Sequence, residues 1–314
     1  GKAEIGELPL GSYYLKETTA GDHFVLNPEQ KEFTLSAEDD TVSVVYEGVT
    51  YKNERQKIQI SVEKKDSVSK EALEGVVFGL YAGEDIKNMQ GKVVVEKDTL
   101  LETKATDPEG KLTFDSDLWH GHYYVKEEQH LPGYLPNDEI WEIDATYEDQ
   151  NLPAIFLEKE VENQPTESYF TKTDIVTGEP VEGAKLQILD EEGTVVREWI
   201  TTKEEHLEYA LLAGNYILHE ELPPLEDGYV SAEDVSFEVK EDGTITKVEM
   251  KDDFSKVDIS KTDITGDTEL VGVKLQVLNS KEEVLDEWIS DGTEHRIEYL
   301  PVGEELTLRE TQTI

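Results

Sequence analysis

No cysteine occurs in the 314 residues. Disulfides and thiolate metal sites are therefore excluded, and any covalent staple must be of another kind. Basic residues are scarce as well: 29 Lys and Arg stand against 72 Asp and Glu, a net charge of −43. Such a surface keeps a chain soluble and repels nucleic acid and anionic lipid, so neither is expected as a partner. No apolar run reaches the length of a membrane span, and no membrane insertion is expected in this segment. No signal peptide is read at the start, where Gly1 is not taken as a native first residue. The motifs of common catalytic sites are missing too: G-x-S-x-G, a Walker loop, H-E-x-x-H, a glycine fingerprint and the D-x-D-x-D-G calcium loop. No cofactor or metal site is read, and no enzyme in the turnover sense. His120 and His122 flank Gly121 and are expected on the wet face opposite Tyr123, as a coincidence rather than a zinc pair.

What is present is repetition. Thr171–Ile200 matches Ser260–Ile289 at an offset of 89 residues, and a looser copy opens at Glu63–Tyr81 with an insertion near Gly83–Lys104. The segments between are short, rich in Val, Ile, Thr, Tyr and Phe, and punctuated by turns such as Glu192–Gly193, Pro108–Glu109–Gly110 and Asp242–Gly243. No long stretch has helical period. An all-β chain of tandem sandwiches follows, arranged as beads on a string. The expected domains are the back half of a repeat at 1–56, complete repeats at 57–165 and 166–254, and the front half of another at 255–314. The chain thus reads as a window on a longer array.

One strand recurs: GSYYLKE, GHYYVKE, GNYILHE and GEELTLRE. Alternation places its glutamate (Glu17, Glu127, Glu220, Glu310) in the apolar phase. Each repeat opens with a strand whose apolar side ends in a lysine: Lys64, Lys172 or Lys261. Each closes with an inward Asn or Asp: Asn53, Asn163 or Asp252. Burying three polar groups at matched positions is costly unless they serve one another. A buried ion-pair cluster is one reading. The other is chemistry: burial lowers a lysine pKa and raises a carboxyl pKa. A neutral amine beside a protonated glutamic acid could then attack the Asn or Asp carbonyl, releasing ammonia or water. Lys65 beside Lys64 and Asp253 beside Asp252 leave strand phase as the guide to which residue reacts.

With these residues the chain resembles the CnaB-type (collagen-adhesin B-type, prealbumin-like) and SpaA-type domains of Gram-positive surface proteins. The motifs are TKTDIVTGEPVEGAKLQIL, AGNYILHEELPPLEDGY, HGHYYVKEEQHLPGY and LPLGSYYLKETTAG. The resemblance implies Greek-key sandwiches whose first and last strands are joined by a glutamate-assisted isopeptide bond. The bonded pairs would be Lys64–Asn163 with Glu127 and Lys172–Asp252 with Glu220. Asn53 with Glu17, and Lys261 with Glu310, would belong to bonds whose partners lie outside this window. It further implies a structural stalk on a bacterial cell surface, anchored to the wall and meeting host or cell-surface ligands through regions outside this chain. A ligand-binding adhesin module, with the Gly83–Lys104 insertion as its surface, and an accessory β-domain of a larger extracellular enzyme stay open as alternatives. Trp199 and Trp288, at equivalent positions, are read as packing residues rather than sugar platforms.

Overall fold

Period-two alternation governs how this chain folds, and burial follows it residue by residue. In the strand Lys57–Asp66 the side chains of Ile58, Ile60, Val62, Lys64 and Asp66 are buried, and none of those between them is. The strand Glu167–Asp174 repeats the pattern with Ser168, Phe170, Lys172 and Asp174. A lysine therefore rides on the apolar face of each. The computed structural model describes residues 1–37, 47–266 and 268–312. Among these the regular structure is β, apart from one three-residue 3-10 turn at Leu225–Asp227. None of their helices is long and apolar enough to cross a membrane.

The chain divides into two compact units. The first holds residues 1–131 and 136–164. In it, Gly11–Lys16 pairs antiparallel with Gln30–Leu35. A complete repeat follows, built from two sheets. One has three strands in the order Ala154–Asn163, Lys57–Asp66, Lys111–Thr113. The other has four, in the order Ile140–Ala145, Gly121–Gln129, Val77–Ala82, Leu100–Ala105. Their apolar faces supply buried Ile60, Val62, Leu80 and Val125. The insertion forms a small hairpin, Ile86–Lys87 with Val93–Val95, before the edge strand.

One expectation fails here. His120 is not on a wet face: its ring lies against His23 and Tyr147, and its two nitrogens meet His23 Nδ1 at 2.9 Å and Gln56 Oε1 at 3.2 Å. Burial, with His23 and Arg55 nearby, pushes its pKa down to about 4. Strand phase misplaced it because His120 precedes the strand. His122 instead bonds Asp144 and Glu142, each at 2.7 Å, so the two histidines do not share a site.

The second unit holds residues 132–135 and 165–314. Its complete repeat has one sheet in the order His206–Tyr209, Glu167–Asp174, Thr246–Asp252 and another in the order Val195–Ile200, Lys185–Leu189, Gly214–Leu222, Val235–Val239. Phe170, Leu186, Ile188, Leu218, Val248 and Met250 form its core. The remaining strands make two further small sheets, Lys256–Ile259 with His295–Glu298, and Val271–Leu278 between Val284–Asp291 and Thr307–Gln312.

In both complete repeats the opening and closing strands run parallel, although they lie at opposite ends of the repeat in sequence. Lys57–Asp66 pairs with Ala154–Asn163 from Lys57↔Ala154 to Asp66↔Asn163. Glu167–Asp174 pairs with Thr246–Asp252 from Ser168↔Thr246 to Asp174↔Asp252. Parallel neighbours require a long crossover, and here the rest of the repeat supplies it.

Within the second unit the passage from one repeat to the next is packed. Ser255 N–H donates to Gly228 O at 2.8 Å, Tyr299 N–H to Ser255 O at 3.1 Å, and Tyr299 OH to Asp174 Oδ2 at 2.8 Å. The Tyr299 ring stacks on Phe254 with centroids 4.0 Å apart. Gly228 has φ +83°, and a Cβ there would come within 2.5 Å of Tyr299 Cα and O. Gly228→Ala should therefore open this junction, costing about 1–3 kcal/mol through left-handed strain alone. Limited proteolysis reads the effect: the variant should be cut between residues 253 and 261 under conditions that spare the unaltered chain. Equal resistance would show that the junction tolerates the methyl group.

Candidate functional site

The parallel register aims the polar ends of the opening and closing strands at one point. Lys64 stands opposite Val161, and Asn163 is two residues further along the same face. Lys172 stands opposite Met250, with Asp252 two residues further. The third member comes from the facing sheet. Phe78 pairs with Glu127 and Leu186 with Glu220, each beside a register shift that leaves one extra residue, Glu128 or Glu221, on the glutamate strand. The same irregularity accompanies Leu275↔Glu310. A bulge bends its strand and re-aims a side chain, and here it sits directly after the inward glutamate three times over.

In the first complete repeat Lys64 Nζ lies 2.5 Å from Asn163 Oδ1 and 3.0 Å from Glu127 Oε2. Asn163 Nδ2 donates to Glu127 Oε1 at 3.0 Å, closing a triangle. The Lys64 side chain is 0% exposed and that of Glu127 4%. Burial lowers the Lys64 pKa, opposed by its hydrogen bond to Glu127 and by that carboxylate's charge. The Phe78 ring, 5.6 Å from Lys64 Nζ, forms one wall.

In the second, Lys172 Nζ lies 3.0 Å from Glu220 Oε1 and contacts Asp252 Oδ1. Lys172 is 1% exposed and both carboxylates 0%. Ala232 N–H holds the other Glu220 oxygen at 2.7 Å. Despite the short approaches, Lys172 Nζ, Glu220 Oε1 and both Asp252 oxygens lack hydrogen-bond geometry. Burial pushes the Asp252 carboxyl up to about 6, against the downward pull of Lys172. Burial thus brings the Asp252 carboxyl closer to its neutral form, beside an amine shielded from solvent.

The neighbouring residues point the other way, as strand phase expects. Lys65 points outward to Glu160 and Glu63, and Asp253 to Lys256. At the chain's two ends the groups are only partly assembled. Asn53 Nδ2 donates to Glu17 Oε1 and Oε2 at 2.9 and 2.7 Å. Lys261 Nζ lies 3.1 Å from Glu310 Oε2, with the two side chains 30% and 29% exposed. Lys261 is less buried than Lys64 and Lys172 because the strand Lys256–Ile259 pairs, among the described strands, only with His295–Glu298. No group of three or more potential metal ligands is found among the described residues.

Sequence reasoning missed the bulges, the Phe78 wall and the Ala232 backbone donor. Bulges and backbone donors leave no residue signature. Phe78 could have been found from its inward phase opposite the glutamate strand.

The model of the SpaA prealbumin-like fold domain matches residues 1–50, 58–158 and 167–253. The chain belongs to the SpaA prealbumin-like family. Among solved structures, this SpaA-type chain is similar to the Bacillus anthracis TIE protein, at 24% identity and a TM-score of 0.41, over 92% of this chain and 49% of that one. It thus spans about half the length of that relative. It is also similar to the shaft pilin SpaA of Lactobacillus rhamnosus GG, at 16% identity and a TM-score of 0.30, over 62% and 97% of the two chains. GBS52, the minor pilin of Streptococcus agalactiae, is similar at 14% identity and a TM-score of 0.27, over 65% and 98%. No curated protein matches the chain.

Proposed function

We propose that this chain is a load-bearing shaft segment of a Gram-positive surface structure, closed by autocatalytic isopeptide bonds between Lys64 and Asn163 and between Lys172 and Asp252. One observation carries the reading: a buried Lys–Glu–Asn/Asp triad stands at the same parallel register in both complete repeats. Glu127 and Glu220 would take the lysine proton and return it to the leaving group. Packing supplies the proximity. The new bond joins Nζ to the acceptor's side-chain carbonyl carbon, and ammonia leaves Asn163 while water leaves Asp252. Each site reacts once, so the protein is its own substrate. Extracellular placement and attachment to a wall belong to the same proposal.

Intact mass tests it. The chain should weigh one ammonia plus one water less than its sequence, and digestion should yield two branched peptides. An undiminished mass in folded protein would overturn the proposal.

The two bonds should respond differently to pH. Asp252 must carry a proton to lose water, and its carboxyl titrates at about 6. Raising the pH through that value empties the reactive form, so Lys172–Asp252 closure should slow about tenfold per unit above it. Lys64 needs to lose a proton, and Asn163 has none to lose, so that closure should not slow over the same range. Time courses of the two branched peptides after cell-free synthesis give both rates.

A further inference from the structure

Beside Lys172, but not beside Lys64, the sheet carries an imidazole. The residue opposite Phe170, two positions before Lys172, is His206. The residue opposite Val62, two positions before Lys64, is Leu112, which is buried. Opposite Ile259, two positions before Lys261, stands His295. Both histidines lie flat on a tryptophan from the other sheet: His206 on Trp199 at 4.1 Å and His295 on Trp288 at 4.3 Å between centroids. Both also hold a carboxylate at 2.7 Å, yet from different places. Glu208 on its own strand serves His206, and Asp286 on the tryptophan strand serves His295.

His206 stands over an 80 Å³ cavity lined by Phe170, Lys172, Trp199, Thr201, Glu205 and His206 itself. At ~30 Å³ per molecule it has room for two or three waters. The imidazole is 30% exposed and the Lys172 side chain 1% exposed, and both residues line the same cavity.

The two acceptors differ in what they require. In each reactive state the amine is neutral, the glutamate protonated and the acceptor uncharged. With Asn163, the proton leaving Lys64 suffices, because it moves to Glu127. With Asp252 one more proton must enter at any pH above about 6, where the acceptor carboxyl is mostly ionised and Lys172 has only one proton to give. It ends on Glu220, after the Nζ–C bond has formed, the C–OH bond has broken and water has left. The repeat that must import a proton and expel water has the histidine and the cavity. The repeat that must not has leucine.

We propose that the His206–Glu208 pair is the proton port of the Lys172–Asp252 site, delivering the proton that Asp252 needs through the cavity under Trp199. This inference rests on the isopeptide reading above. His206 is a positioning and relay group, not a reacting one. The charged groups facing it are Glu208 on its own strand, Arg197, which donates to Glu208 at 3.2 Å, Glu204 and Glu205 on the cavity rim, and Lys172 within. Imidazole suits the role because one ring nitrogen can accept a proton as the other gives one up.

The test uses the full chain made by cell-free synthesis, with both branched peptides followed over time between about pH 5.5 and 8.5. His206→Leu copies the residue that Leu112 already places at this register, and His206→Gln keeps polarity without titration. Both should slow Lys172–Asp252 closure about tenfold or more near neutral pH and move its decline with pH to lower values. Lys64–Asn163 closure in the same molecules should keep its rate, which reports that they fold and react. Unchanged closure rates and pH profile at Lys172 in both variants would overturn the port while leaving the bonds intact. Absence of both branched peptides from the unaltered chain would overturn the isopeptide reading itself, and the port with it.

Discussion

The Glu127→Ala chain should lose its ammonia deficit and unfold at a far lower temperature than the unaltered chain. Lys64 and Asn163 are 99 positions apart, so the proposed bond would close nearly the whole repeat. A cross-link over a loop near that length is worth about 4.7 kcal/mol in the chain-entropy model, which for a repeat of this size is a shift of roughly 20 °C or more. Removing Glu127 also strips Lys64 of its buried counter-charge, which would inflate the loss. Lys64→Met separates the two effects, because it cannot bond yet leaves no unpaired ammonium. If the bond is the main term, both variants should fall by similar amounts in calorimetry. A Glu127→Ala chain that retains the ammonia deficit would remove the glutamate from the mechanism. A bond-free variant melting within a few degrees of the unaltered chain would remove the bond's importance.

Pulled at its ends, the unaltered chain should give no extension step from either complete repeat. Tension would pass from Asn163 to Lys172 along nine positions, with the interiors bypassed. Glu127→Ala should restore a step of roughly 300 Å, from 99 residues at about 3.3–3.6 Å each less the folded span. Glu220→Ala should restore a shorter one, since Lys172 and Asp252 lie 80 positions apart. Single-molecule force measurement distinguishes these outcomes directly. Steps of either size in the unaltered chain would mean that the covalent bypass does not exist.

Much of the fold was legible because alternation survives tertiary packing. The phase of Ile58, Ile60 and Val62 fixed where Lys64 points, and it separated Lys64 from Lys65 before any distance was known. The same logic failed for His120, which lies just outside its strand and takes its surroundings from His23 and Tyr147, far away in sequence. Register between distant strands was also illegible. Nothing local says that Val161, rather than a neighbour, stands opposite Lys64, yet that choice brings Asn163 within reach. The bulges after Glu127 and Glu220 are a further case: an extra residue in a strand looks like any other until its partner is known. Trp199 was read as packing, and it does pack on Phe170. Its stack on His206 joins two positions whose pairing the sequence did not reveal.

The parallel run of Lys57–Asp66 beside Ala154–Asn163 has a consequence for the repeat before any chemistry has occurred. The chain enters beside Ala154 and leaves beside Asp66, at opposite ends of the ribbon. A pull on those two points slides one strand along the other, so the rungs are stressed together instead of being unzipped singly from one end. A repeat without its cross-link is thereby braced against early loading, which would leave the proposed covalent step time to finish.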